Sequence, residues 1–468
     1  MTSNILWQAE ELINGLDGKL VAGELSAANG ISIDSRDIKH GDAFFAIKGD
    51  SFDGHDYTDK AANNGAAVIV ISDEKYITKK AGVATILVDD VLASLGRLGV
   101  AARKRTNAKI IAVTGSVGKT STKEFLRACL MHCGKTHASI KSFNNHWGVP
   151  ISLARMPKDT EFGIFEIGMS HLDEITPLVK MVMPNLAIIT TIAPAHLGHF
   201  KDLEEIALAK SEIFDGLAKD GIAILNHDNE FFDYLKQKAT AKGVRNIQSF
   251  GKANQADMQL VSAELLPNGS NVVARFGGAE LEYFIGSAGM HQVQNSLGLL
   301  LAIGLMGVDL NEILPVLKTI ELSDGRGART EIAIKDGQIM LIDESYNANP
   351  ASMVAAFSVL SAQMPKNGGR RVAIIGDMLE LGAQSAEIHA ALAKDIADAK
   401  IDVVFACGED MKSCYNLLSI EKMGQYAQNS SLLAKSILEN IYPNDVVMVK
   451  GSLGSKMSLI VNKIKNNK

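Results

Sequence analysis

Short apolar runs recur along the chain, separated by longer stretches in which apolar residues return every three or four positions. The runs read as buried strands and the stretches as helices with one apolar face. Between residues 1 and 88 the strands predicted are Gly41–Gly49, Ala66–Ile71 and Thr85–Val88, with a helix at Tyr57–Asn64. A helical, basic-ended connector spans 91–105. The next block, to about residue 322, repeats strand and helix, with strands at Ile110–Val113, Gly163–Ile167, Ala187–Thr191 and Ile222–Leu225. The segment Gln259–Tyr283 alternates polar and apolar residues and reads as an antiparallel flap. From 323 onward the scheme returns, with strands at Gln338–Asp343, Arg371–Gly376, Asp402–Gly408 and Asp445–Lys450. The expectation is an α/β protein of three domains. These are a small N-terminal α/β unit over 1–88, a central domain with a mostly parallel sheet over 89–322, and a doubly wound, Rossmann-like domain over 323–468.

Strand ends carry the chemistry in such sheets. The strand opening at Lys109 runs into Thr114-Gly-Ser-Val-Gly-Lys-Thr-Ser121, and a helical pattern begins at Thr120. Strand, glycine turn, lysine, hydroxyl and helix in that order make a phosphate-binding loop. The main-chain N–H groups from Gly115 to Lys119 face phosphate oxygens, Lys119 reaches the β- and γ-phosphates, and Thr120 offers its hydroxyl to Mg²⁺. The loop is short, because Val113 stands where the usual first glycine would be. Gly163-Ile-Phe-Glu-Ile167 places Glu166 inside an apolar strand end, where a carboxylate needs a cation; beside a phosphate loop we read a metal ligand.

Other positions read two ways from the residues alone. His196 ends a strand-end turn and is either a satisfied histidine or a ligand. Lys210 reads as a solvated lysine on a helix. Ser35-Arg36 reads as a turn with an exposed cation that could hold an anion. Asn144-Asn145 either contacts substrate or shapes a loop. Asp343-Glu-Ser-Tyr-Asn-Ala-Asn-Pro350 gathers acids, amides and Tyr346, suited to a ribose and a base or to capping a helix. Arg326 and Arg329 flank the boundary into the third domain, as hinge cations for a γ-phosphate or as surface charges.

Bulk properties narrow the class. The 468 residues are 47% hydrophobic and 21% charged, with net charge −6, so no basic excess draws nucleic acid or a membrane surface. The start lacks a basic and an apolar region of a signal peptide, and the longest apolar run, Leu297–Val308, is too short to span a bilayer. Cys129, Cys133, Cys407 and Cys414 show no metal-ligand spacing, and Cys129 and Cys133 read as apolar filler on one helix face. A cytoplasmic monomer is expected.

Thr114-Gly-Ser-Val-Gly-Lys-Thr120, Glu166-Ile-Gly-Met, His196, Lys210, His291-Gln-Val-Gln-Asn295, Asp343-Glu-Ser-Tyr-Asn-Ala-Asn-Pro350 and Gly376-Asp-Met-Leu-Glu-Leu-Gly382 together resemble the Mur ligase family over nearly the whole chain. Asp34-Ser-Arg36 and Asp53-Gly-His55 are similar to that family's UDP-sugar domain. The resemblance implies domains for the UDP precursor, for ATP and for the amino acid. It also implies ATP-driven amide formation through an acyl phosphate. Within the family the C-terminal motifs resemble the member that adds D-alanyl-D-alanine to a UDP-N-acetylmuramoyl tripeptide. The Asp-Asn-Pro-Arg motif of the diamino-acid-adding relative is absent. The resemblance further implies that Lys119 stabilises the transferring phosphoryl group and that Thr120 and Glu166 hold one Mg²⁺. His196 and a carbamylated Lys210 would hold a second. Thr114 to Ser121, Asn295, Asp343, Tyr346 and Asn347 would hold the nucleotide, Arg329 would be the hinge cation with Arg326 as rival, and Ser35, Arg36, Asn144 and Asn145 would meet substrate. Folylpolyglutamate synthase shares the shortened loop but lacks the N-terminal UDP domain. An ATP-gated switch is the reading from outside enzymology.

Overall fold

The computed structural model describes residues 5–140, 142–195 and 197–467. Three sheets follow one another along the chain. The first has five strands in the order Lys19–Ala22, Ala84–Leu87, Val68–Ile71, Ala43–Phe45, Ile31–Ser32; only the Lys19–Ala22 strand runs antiparallel. The helix Val91–Lys104 closes this unit, burying Leu95 and Leu98 in a core that also takes Ile151 and Ala154 from the following domain.

The central sheet has nine strands. Seven in succession are parallel, in the order Thr136–Ala138, Phe162–Glu166, Lys109–Thr114, Leu186–Ile189, Ile222–Asn226, Asn246–Gly251, Met258–Leu266. The inner strands are buried along almost their whole length because helices cover both faces, which is why they read as continuous apolar runs. The expected antiparallel flap exists as Met258–Leu266, Gly269–Phe276 and Ala279–Ile285, joined edge-on to the same sheet. The buried helix Met290–Leu305 packs beneath it.

The third sheet runs Ala328–Ile334, Gly337–Glu344, Val446–Lys450, Arg371–Gly376, Val403–Cys407, Met423–Ala427, with only the first strand antiparallel. Gly325 and Gly327, at φ +77° and +103°, bend the chain into this domain, and a side chain at Gly325 would come within 2.9 Å of Tyr346. Among the described residues no helix is long and apolar enough to cross a membrane. All four cysteines are free; Cys129 is buried in the central core, and its thiol is pushed up to about 12 by burial.

Candidate active site

The strand Lys109–Thr114 ends against the helix Lys119–Leu130, and the turn between them depends on two glycines. Gly115 sits at φ +147°, and a Cβ there would lie 1.9 Å from the Thr190 hydroxyl oxygen. Gly118, at φ +87°, is the helix N-cap, and a Cβ there would meet the Asn295 amide at 2.8 Å. No side chain caps this helix. Among the described residues the N–H groups of Gly118 to Ser121 find no acceptor, so four donors at the positive end of a helix stand ready for an anion. The turn is braced from behind: Ser116 N–H donates to the Thr191 carbonyl, Thr190 Oγ1 donates to the Val117 carbonyl at 2.5 Å, and Ala193 N–H donates to Ser116 Oγ.

Lys119 curls back so that Nζ donates to the Gly115 carbonyl at 2.6 Å. Burial pulls its ammonium below the ordinary lysine range; the Glu166 carboxylate opposes that fall and Arg326 adds to it. Thr120 Oγ1 donates to Glu166 Oε2 at 2.7 Å, and Asn144 Nδ2 donates to Glu166 Oε1 at 2.7 Å. Glu166 is 1% exposed and has no cation at ion-pair distance among the described residues. A buried carboxylate held by a hydroxyl and an amide fits a divalent cation bound beside a triphosphate. Among the described residues no three His, Cys, Asp or Glu side chains gather as a self-sufficient metal site.

These groups line a cavity of about 540 Å³ between the central and third domains. Asn144, Asn145, Ser116 to Ser121, Asn295, Tyr346 and Asn347 line it. The third domain also contributes Lys450, whose Nζ donates to Glu344 at 3.1 Å and to the Asn347 carbonyl at 3.0 Å. That pair escaped the sequence reading; its only signal was a lysine at the carboxyl end of a buried strand.

Other expectations fare differently. Arg329 was the expected hinge cation, yet its guanidinium donates to the Pro267 carbonyl in the antiparallel extension and does not line the cavity. The side chain is aimed away because Arg329 lies within the strand Ala328–Ile334, paired opposite Ile342. Arg326, the rival, lines the cavity. Its Nη2 donates to Ser142 Oγ at 2.9 Å and its guanidinium stacks 4.1 Å from the Tyr346 ring centre. Asp343 is turned inward as well, accepting from Ser345 N–H and Oγ rather than facing the cavity. Thr114 and Gly115 support the turn from below and also stay off the cavity wall.

Lys210 is not the solvated lysine that its helix suggested. It is 2% exposed, with no carboxylate at ion-pair distance among the described residues. Burial, with Lys119 nearby, drives its amine far below the ordinary range. His196 lies outside the described residues. Ser35 and Arg36 line a separate cavity of about 1630 Å³ between the N-terminal and central domains. Arg36 there pairs with Asp34 at 2.6 Å, and that hydrogen bond holds the Asp34 carboxyl down at about 2.

Comparison with known proteins finds relatives along nearly the whole chain. Residues 113–303 match the Mur ligase middle domain, 328–453 the Mur ligase, glutamate ligase domain, and 28–114 the Mur ligase family, catalytic domain. The chain is 36% identical over 433 residues to the UDP-N-acetylmuramoyl-tripeptide–D-alanyl-D-alanine ligase of Rickettsia prowazekii, covering 92% of this chain and 94% of that one. It is 31% identical to the enzyme of the same name from Escherichia coli, covering 98% of each. A crystal structure of MurF from Acinetobacter baumannii superimposes with a TM-score of 0.85 at 30% identity, over 98% of this chain and 99% of that one.

Proposed function

The chain belongs to the Mur ligase family, and from that membership we propose that it joins D-alanyl-D-alanine to a UDP-N-acetylmuramoyl tripeptide at the expense of ATP, in the synthesis of peptidoglycan precursor. The observation that carries the proposal is the meeting of Lys119, Thr120, Glu166 and Arg326 around one cavity, at the carboxyl end of the central sheet. A carboxylate is a poor acyl donor until one of its oxygens becomes part of a good leaving group. In this reading the tripeptide carboxylate oxygen attacks the γ-phosphorus and ADP leaves. The dipeptide amine then attacks the carbonyl of the acyl phosphate, and inorganic phosphate leaves.

Each residue has a task in that sequence. Lys119 exchanges the Gly115 carbonyl for phosphate oxygens, and Arg326 brings a second cation from the hinge, so charge spreading over the transferring group is matched from two sides. Asn144 fixes one oxygen of Glu166, leaving the other, with Thr120, to hold Mg²⁺. Mg²⁺ supplies neutralising charge to the phosphates when bound. We assign Asn295, Tyr346 and Asn347 to the nucleoside, and Ser35 and Arg36 to the uridine nucleotide in the N-terminal cavity. Lys210 is proposed to be carbamylated, because carbon dioxide adds to a neutral amine and this buried amine has no counter-ion among the described residues; with His196 it would hold a second Mg²⁺. The free thiols suit a reducing cytoplasm, where we place the protein as a monomer.

Phosphate release from ATP tests the function. It should require both the UDP-muramoyl tripeptide and the dipeptide, and fall to background when either is left out. Turnover indifferent to both would point to an ATP-driven switch. Turnover with a diamino acid in place of the dipeptide would point to a neighbouring member of the family.

A further inference from the structure

The segment from Ser142 to Gly148 is a wall with two faces. Ser142, Asn144 and Asn145 line the cavity of the phosphate loop, whereas Phe143 and Trp147 line the large N-terminal cavity. The segment is held firmly. Asn144 O accepts from Gly168 N–H at 2.9 Å, and Asn145 Oδ1 accepts from Gly148 N–H at 3.0 Å. A side chain at Gly148 would come within 2.6 Å of the Phe143 carbonyl carbon, so the segment folds tightly on itself. Phe143 and Trp147 meet edge to face, ring centres 5.1 Å apart, and Trp147 remains half-buried at the cavity wall. An indole placed there, beside the half-exposed Ile140, offers a flat apolar surface on the wall shared with the phosphate-loop cavity, across from the Asp34–Arg36 turn, Phe52 and Tyr57 that also line the large cavity.

We propose that Trp147, backed by Phe143, is a recognition surface for the N-acetylmuramoyl sugar of the acceptor, a specificity determinant separate from the nucleotide contacts. This rests on the function proposed above. The acceptor's uridine end lies in one cavity and its reactive carboxylate in the other, so the portion between them must cross this wall. A sugar ring presents axial C–H groups that pack on an aromatic face, whereas a charged diphosphate gains nothing from it. Asn144, three residues before Trp147 and on the opposite face, donates to Glu166, so the indole and the expected metal ligand are served by one short segment.

The chain has two tryptophans, which makes the test direct. Trp7 is 1% exposed, its Nε1 donating to the Ala154 carbonyl, and is shielded from quencher throughout. Acrylamide quenching of the wild type should weaken when UDP-N-acetylmuramoyl tripeptide saturates the enzyme, and should not weaken with UDP alone. Trp147→Phe should lack this protectable emission yet keep its KM for the precursor within about threefold. Trp147→Ala should raise that KM about tenfold while the KM values for ATP and D-alanyl-D-alanine stay within twofold. Protection by UDP alone, or a Trp147→Ala precursor KM within twofold of wild type, would overturn the assignment. Calorimetry separates the two levels. A wild type that binds and turns over the precursor without protecting Trp147 defeats this inference alone. A wild type that binds no precursor defeats the functional reading, and this inference with it.

Discussion

Replacing Arg326 by alanine should abolish most turnover while leaving the fold intact, and replacing Arg329 should leave turnover near wild type at a small cost in stability. Contacts of 2.9 Å and 3.5 Å link Arg326 Nη2 through Ser142 Oγ to Thr120 Oγ1. The guanidinium is therefore within about 6 Å of the hydroxyl that marks the expected metal and phosphates, where a unit charge pair at an effective dielectric of about 20 is worth roughly 3 kcal/mol. If that attraction grows as charge develops in transfer, kcat should fall on the order of 10²-fold. Arg326→Lys keeps the charge but loses the fork and the Tyr346 stack, so an intermediate loss is expected. Arg329 is a half-buried brace between the Ala328–Ile334 strand and the Pro267 turn. Gln363 Nε2 also donates to the Pro267 carbonyl, so Arg329→Ala leaves that oxygen satisfied and should cost about 1 kcal/mol of stability. The assay is phosphate release at saturating substrates, paired with a Tm for each variant. A hundredfold loss of kcat in Arg329→Ala at unchanged Tm, with Arg326→Ala within threefold of wild type, would refute the assignment.

Four further outcomes follow from the same geometry. Gly115→Ala forces a Cβ against Thr190 at a left-handed φ and should abolish ATP binding by calorimetry, whereas Ser121→Ala, at the cavity edge, should bind within a few-fold of wild type. Lys119→Ala should lower kcat by roughly 10²–10³ with the fold unchanged by circular dichroism; near-normal product formation would discard the phosphate-loop reading. Lys210→Ala should be weakly active and partly restored by short carboxylic acids, and full activity without them would remove Lys210 from the metal site. His137, whose Nε2 contacts the Ser152 carbonyl, has its imidazole pushed down to about 4 by burial. Its unfolded-state pKa is near 6.5, so the unfolded chain binds the extra proton first: stability present above that pH should be lost as pH falls from about 6.5 towards 4, by on the order of 3 kcal/mol when complete. His137→Gln should flatten that limb of a denaturation-versus-pH series, and an unchanged limb would exclude the histidine as its source.

The parallel strands were legible because both their faces are covered, which leaves no room for alternation and writes each one as an apolar run. The strands Ala328–Ile334 and Met423–Ala427 were not anticipated. They lie at the two edges of the third sheet with mixed burial, so neither a run nor a clean alternation marks them. The phosphate loop was legible because its chemistry needs neighbours in sequence: glycine, lysine and hydroxyl within one turn. Lys210 shows the opposite case. Its helix, Leu203–Ser211, buries Ile206, Ala207, Ala209, Lys210 and Ser211, which spread around the axis, so no periodic stripe separates an inner face from an outer one. The resemblance of Ala209-Lys-Ser-Glu to the family, not helical periodicity, was what drew attention to it.

Choosing between Arg326 and Arg329 lay beyond any reading of spacing, because Arg326 sits in a glycine-flanked bend and Arg329, three positions on, in the paired strand that follows it directly. Gly325 and Gly327, both at positive φ, turn the chain so that Arg326 points across the cleft to Ser142, while the antiparallel ladder that starts at Ala328 fixes the direction of Arg329. The same logic governs the Ser142–Gly148 wall. Its polar and aromatic residues are intermixed in sequence, and only the tight approach of Gly148 to Phe143 sorts them onto opposite sides. In both places glycine supplies the sharp bend, and the bend decides which cavity a neighbouring side chain serves. The contact joining them, Arg326 to Ser142, ties the hinge to the wall between the two cavities. A rotation of the third domain about Gly325 and Gly327 would therefore pull on the segment that carries Asn144 on one face and Trp147 on the other. Domain closure and seating of the acceptor are, on this geometry, two loads on one segment.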